Sequence, residues 1–226
     1  MKILLPRIDE IPFRHGKISS NGEMIKVYQC KKKERDRMGT PRTGLQGKVC
    51  PYFPGVGILL DNPIRRLLKN PDNIFGKYVQ EGMTVIDIGC GPGMFTLALA
   101  KMVGETGRVI AVDIQQEMLD LLKKKAERRG LVSRIQLHRN TPDSIGLEVQ
   151  ADFILSMYMV HEVPDQESFF REVHGLLAPG GRYLVIEPLF IPRKAFEKTV
   201  WWARWAGLKP LECVNGWFVH KALFAT

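Results

Sequence analysis

The run Val85-Ile86-Asp87-Ile88-Gly89-Cys90-Gly91-Pro92-Gly93-Met94-Phe95-Thr96 constrains this chain more than any other part of it. A mostly apolar stretch broken only by Asp87, the pattern of a buried strand, runs into three closely spaced glycines. A helical pattern begins directly after them. Glycine lets the backbone turn sharply and approach a ligand without a Cβ in the way. The spacing is G-x-G-x-G, whereas a dinucleotide fingerprint, G-x-G-x-x-G, would need glycine at Met94. Asp87, at the strand end, suits an ammonium or a loop amide better than a phosphate.

From residue 83 onward, strand and helix patterns alternate, the signature of a mainly parallel sheet covered on both faces. Strands are predicted at 84–88, 108–113, 134–138, 151–156 and 182–187. Helices are predicted at 94–103, 116–129 and 166–177, and Gly104, Gly130 and Gly180-Gly181 lie where they stop. A helix over 193–205 follows, then strands at 208–214 and 217–224 joined by Asn215-Gly216, a dipeptide suited to a tight hairpin. On the helix over 193–205, Phe196 and Val200 share one face, as do Trp201 and Trp205, and this stripe is expected to pack on the sheet. Trp202 faces elsewhere, where it suits a substrate roof or a partner contact.

Twenty residues beyond Gly93, the second strand ends in Asp113. A carboxylate there can accept hydrogen bonds from both hydroxyls of a ribose. Alone, it would equally suit a cap on the next helix. Strand, glycine turn, helix, strand and acid in this order favour a bound nucleoside without phosphates.

Together with the segment Leu177-Ala178-Pro179-Gly180-Gly181-Arg182-Tyr183-Leu184-Val185-Ile186-Glu187, these features resemble the class I, Rossmann-like methyltransferases. That segment is similar to the L-x-P-G-G-x-L turn which the family places before its fifth strand. The resemblance spans roughly residues 72–226. It implies an α/β, three-layer sandwich: a seven-stranded, mostly parallel sheet with an antiparallel C-terminal hairpin strand, here preceded by an N-terminal extension. It also implies S-adenosylmethionine as cofactor and S-adenosylhomocysteine as product. On that basis Asp87, Gly89, Gly91 and Gly93 line the methionine side and Asp113 holds the ribose. Ile114 and Met118 flank the adenine, Asn140 or Thr141 approaches its edge, and Ser156 and Met157 face the methionine part. No metal is expected. Three regions follow: a basic extension over 1–55, a helical lead-in over 56–82 that closes the cofactor pocket, and the methyltransferase domain over 83–226. Cys50-Pro51-Tyr52 and Leu60-Asp61-Asn62-Pro63 would sit near the pocket mouth.

Charge bears on the acceptor. The net charge is +9, and residues 1–48 hold 12 Lys/Arg against 5 Asp/Glu, leaving 21 against 19 for the rest. The basicity therefore belongs to the N-terminal segment, densest at Lys31-Lys32-Lys33-Glu34-Arg35-Asp36-Arg37. Such a run attracts RNA or an acidic partner, or serves as a solvated arm. Met1-Lys2-Ile3-Leu4-Leu5 begins like a signal peptide, but Pro6, Arg7, Asp9 and Glu10 end the apolar run. No stretch approaches the roughly 18 apolar residues of a membrane span. Cys30, Cys50, Cys90 and Cys213 form no C-x-x-C pair, so a reduced, cytoplasmic setting is expected.

Two side chains past the fourth strand are candidates for the chemistry: His161 as a base and Tyr158 as a hydrogen-bond donor or aromatic wall. Glu162 need not orient the His161 ring, because sequence neighbours usually point apart. An Asn/Asp-Pro-Pro-aromatic motif, used against base amino groups, is absent, since Ser156-Met157-Tyr158-Met159 stands there. No cysteine near that strand suits cytosine C5 chemistry. Cys30, Cys50 and Cys213 do not match the spacing of metalloid methyltransferases. The expected activity is methyl transfer to a small-molecule acceptor. The rivals are an RNA or protein methyltransferase docking through residues 1–48, a non-catalytic S-adenosylmethionine-binding module, and a nicotinamide-binding protein.

Overall fold

A computed structural model of the chain describes residues 17–18, 24–25, 71–215 and 219–226. Expectations for the Lys31–Arg37 run, Cys30, Cys50, the Leu60–Pro63 segment, and Gly216 and Trp217 lie outside them. Lys17–Ile18 pairs antiparallel with Met24–Ile25.

The main sheet has seven strands: β1 (Thr84–Ile88), β2 (Arg108–Asp113), β3 (Ile135–Arg139), β4 (Ala151–Met157), β5 (Leu177–Pro188), β6 (Lys209–Asn215) and β7 (Val219–Ala225). Their spatial order is β3-β2-β1-β4-β5-β7-β6. The first five run parallel, and β7 enters antiparallel to both β5 and β6. Among the described residues five α-helices accompany them: α1 (Pro71–Phe75), α2 (Thr96–Met102), α3 (Gln116–Glu127), α4 (Gln166–Leu176) and α5 (Arg193–Trp205).

Side chains alternate across the central strands, so each strand feeds two cores. On one face Val85, Val109, Phe153 and Leu184 meet Phe75 of α1, Leu97 of α2 and Leu122 of α3. On the other face Ile86, Ile110, Ile154 and Val185 meet Phe170 of α4 and Phe196 of α5. Burial on both sides explains why β1 and β2 are mostly apolar, with Asp87 and Asp113 as the acidic exceptions near their C-terminal ends. Helix α4 is started by Asp165, whose Oδ1 accepts from the Ser168 amide at 3.1 Å, satisfying a donor the helix itself leaves unpaired.

Besides shifts of one or two residues at other element ends, the main differences from the sequence expectation are at β5, the start of α2 and Trp202. β5 begins at Leu177, not Arg182: Leu177 pairs with Ala151, and Pro179-Gly180-Gly181 forms a bulge before Phe153 pairs with Arg182. α2 begins at Thr96, two residues late, because the left-handed turn at Gly93 delays helical geometry. Trp202 is buried, 8% exposed, within the core under α5. Trp201 and Trp205 are the partly exposed pair, stacked with centroids 5.9 Å apart. The roof or partner role considered for Trp202 is therefore not available to it.

Candidate active site

The parallel strands β1, β2 and β4 end side by side, and their exits open onto one cavity of about 300 Å³. That is the lower end of the range for small-ligand pockets. The β1 exit turns through Gly89, Gly91 and Gly93, all with left-handed backbone (φ +72°, +52° and +84°). The amides of Gly89 and Cys90 donate to the Val112 carbonyl at 2.8 and 3.0 Å, tying the turn to β2. The three glycines do different work. Gly91 lines the cavity, and a Cβ there would meet nothing within 4 Å. A Cβ at Gly93 would collide with Leu122 of α3, and one at Gly89 with Met159. Gly93 therefore permits close approach of loop and helix and does not line the cavity. Gly93→Ala is expected to destabilise the fold by at least about 1–2 kcal/mol, the cost of a left-handed alanine alone. Urea denaturation checks this, and an unchanged midpoint would mean that α3 retreats without penalty.

Asp113 crosslinks the site. Its Oδ2 accepts from the Gly91 amide at 2.8 Å and its Oδ1 from the Gln115 amide at 2.9 Å. Burial pushes its carboxyl above the usual range, and these backbone hydrogen bonds pull it part of the way back. The cap role and the cavity position coexist in this residue, since one carboxylate oxygen can accept more than one hydrogen bond.

Asp87 lies deeper, 2% exposed, and does not line the cavity. Its Oδ2 accepts from the Thr96 hydroxyl at 2.6 Å, so it holds the start of α2 beneath the glycine turn. Burial raises its pKa to about 7, against the lowering effect of the Thr96 bond, and the Asp113 charge adds to the rise.

The remaining expected residues divide. Ile114, Met118, Asn140, Thr141, Met157 and Tyr158 line the cavity with Gly89, Gly91 and Asp113; Ser156 and His161 do not. Ser156 is fully buried. Tyr158 sits in left-handed backbone (φ +63°), its amide donating to the Ile186 carbonyl at 2.8 Å. That geometry is uncommon for a bulky residue and clusters at functional sites.

His161 occupies a single 3₁₀ turn, Val160–Glu162. The side chain that orients it is Glu187 of β5, which is 1% exposed. Glu187 Oε2 lies 2.7 Å from His161 Nδ1, and Oε1 accepts from the His161 amide at 3.0 Å. Burial works against the imidazolium, but the Glu187 hydrogen bond and charge, with the Glu162 charge, outweigh it and raise the His161 pKa. Glu162 reaches only 3.9 Å from Nε2, and it does line the cavity.

Sequence reasoning missed two carboxylates. Glu187 had appeared only as a strand end. Glu172 of α4 accepts from the Ser144 hydroxyl and the Ile145 and Gly146 amides at 3.0, 2.8 and 3.3 Å, fixing the loop after β3. Neither has a local signal, because their partners lie 26 to 28 residues away. Among the described residues no group of His, Cys, Asp and Glu could hold a metal ion. Cys90 and Cys213 are buried free thiols.

Residues 85–181 match the family model described as a methyltransferase domain. A demethylmenaquinone methyltransferase of Lactobacillus johnsonii is 34% identical over 110 residues, 48% of this chain and 45% of that protein. The ubiquinone/menaquinone biosynthesis C-methyltransferase UbiE of an Enterobacter species is 33% identical over 124 residues, 53% of this chain and 49% of that protein. The chain thus spans about half the length of the curated relatives it matches. The crystal structure of a SAM-dependent methyltransferase from Aquifex aeolicus superposes with a TM-score of 0.68 at 26% identity, covering 77% of this chain and 98% of that one. Strand order, glycine turn and these matches agree: residues 85–181 form a methyltransferase domain, and the fold is that of the class I, Rossmann-like S-adenosylmethionine-dependent methyltransferases.

Proposed function

We propose that this chain transfers the methyl group of S-adenosylmethionine to a small-molecule acceptor. The observation that carries the reading is the continuous lining from Gly91 through Asp113 to Asn140 and Thr141 on one side and to Met157 and Tyr158 on the other. The open space that a Cβ at Gly91 would fill suits a closely held ligand, and the Asp113 carboxylate beside it suits a vicinal diol. When bound, S-adenosylmethionine supplies an electrophilic methyl carbon on a sulfonium.

In this reading Gly89 and Gly91 let the backbone approach the methionine part. Met157 is the wall facing it, and Ser156 and Gly93 support that wall and the turn from behind. Asp87 supplies negative charge from below. Asp113 holds the ribose, Ile114 and Met118 sandwich the base, and Asn140 and Thr141 read its edge. Tyr158 borders the acceptor. The chief contribution of such a site is orientation, at most about 7–11 kcal/mol of the barrier.

A small acceptor is supported by the names of the matched relatives, which modify quinones. The RNA or acidic-partner reading rests on residues 1–48 alone. No helix among the described residues is long and apolar enough to cross a membrane. The test is transfer of labelled methyl from S-adenosylmethionine into a cell extract, separated afterwards into small molecules, RNA and protein. Label is expected in the small-molecule fraction. Label confined to RNA or protein would overturn the acceptor class.

A further inference from the structure

Resting on that reading, we propose that Glu187, His161 and Glu162 form a proton relay into the cavity, which selects acceptors that lose a proton as they are methylated. The three groups come from two places in the chain and converge. Glu187 is at the end of β5, and His161 and Glu162 are on the turn after β4. The Glu187 carboxylate grips both the ring and the backbone of His161. A buried carboxylate is costly unless a partner neutralises it, and the partner here is the imidazole. With Nδ1 engaged by Glu187, Nε2 is the ring nitrogen turned toward Glu162. Glu162 is the member that borders the cavity, so the relay ends where an acceptor would sit.

The surroundings fit proton handling. The ring of His161 packs edge-on against Phe190, centroids 5.7 Å apart at 90°. Among the described residues the charges acting on the ring are those of Glu187 and Glu162. Helix α5 packs against the same turn. From it the Thr199 hydroxyl donates to Gln166, whose amide donates to the Val160 carbonyl. These neutral bonds fix the turn without adding charge.

The reaction balances as follows. The acceptor's electron pair forms the new bond to the methyl carbon, and the carbon–sulfur pair leaves with sulfur. The acceptor's proton passes through Glu162 to His161 Nε2, and the imidazolium formed is held by Glu187. A hydroquinone or phenol has such a proton, whereas a tertiary amine or a dialkyl sulfide does not.

Glu187 acts through His161 and is a positioning residue. Glu187→Gln preserves the shape and removes the charge. Its kcat with labelled S-adenosylmethionine and naphthohydroquinone is expected to fall by roughly a hundredfold. Calorimetric affinity for S-adenosylmethionine should stay unchanged. The ascending limb of the pH–rate profile should move to lower pH, because the charge that holds the proton on His161 is gone. In parallel, NMR titration of the His161 ring without cofactor should show its pKa lower in Glu187→Gln than in the wild type. Glu162→Gln, at a half-buried position, keeps the activity test open if Glu187→Gln does not fold.

Equal transfer to dimethyl sulfide or trimethylamine, with Glu187→Gln and Glu162→Gln fully active, would overturn the relay and leave methyl transfer standing. An unmoved His161 titration would overturn it as well, even if no probe is methylated. Failure of every probe and of the extract assay, with the His161 shift present, would overturn the proposed function instead.

Discussion

Asp87→Asn is expected to be more stable than the wild type at neutral pH and above, by about 2–4 kcal/mol. The carboxyl is buried, and its pKa rises from an ordinary 3.8 to about 7 in the folded protein. Because the folded value lies above the unfolded one, the native state binds more protons between them. Stability contributed by this group is therefore lost as pH rises from about 4 to about 7, and the full penalty applies above that. An asparagine carries no charge to desolvate and keeps an oxygen that can accept the Thr96 hydroxyl. Urea titrations at about pH 5 and about pH 8 should show the variant's advantage growing with pH. A constant difference would mean that Asp87 is not the titrating group.

The same residue then explains why the carboxylate is kept. In the proposed function its charge is offset by the cation of S-adenosylmethionine. Cofactor affinity in the wild type should therefore improve as pH rises through about 7, with proton release. Asp87→Asn should flatten that dependence and bind more weakly at high pH. Stability gained and binding lost in one substitution is the pattern of a strained functional site.

Asp113→Ala is expected to weaken binding of S-adenosylmethionine by about 1.5–3 kcal/mol, the range for hydrogen bonds to a charged group. That is roughly a tenfold to hundredfold rise in Kd by calorimetry. Two losses combine: the acceptor proposed for the ribose, and the brace that holds the Gly91 and Gln115 amides in place. Asp113→Asn separates them, because its one remaining oxygen can keep a single amide while the charge is gone. If Asn binds as well as wild type and Ala does not, bracing is the larger part. Wild-type affinity in the alanine variant would reduce Asp113 to a cap.

The legible part of this molecule is the part written in local periodicity. The bounds expected for β1, β2 and α5 are those observed, because buried parallel strands and an amphipathic helix both declare themselves within a few residues. The glycine turn and Asp113 were legible for the same reason, being separated by one βα unit. β3 was expected one residue early, since Arg134 belongs to a 3₁₀ turn whose residues look like strand. The early start of β5 was hidden because Pro179-Gly180-Gly181 reads as a terminating turn, while its pairing partner Ala151 lies 26 residues upstream. The Glu187–His161 pair was illegible in kind. It depends on β4 and β5 lying side by side with both ends at one edge, which the register of two strands decides. Trp202 was misread because helical spacing ranks faces relative to one another and does not say how wide the buried face is.

The position of β7 also shapes the order in which this sheet can be assembled. β7 lies between β5 and β6, although it follows both in the chain. β6 has no strand to pair with in the sheet until β7 exists, so it joins either together with β7 or after β7 has docked on β5. Five parallel strands can meanwhile be in place with the edge of β5 open. An open edge is a template for pairing with another chain, and long-range pairings form late. Whenever β7 is unpaired the edge of β5 is such a template, and the docking of β7 closes it.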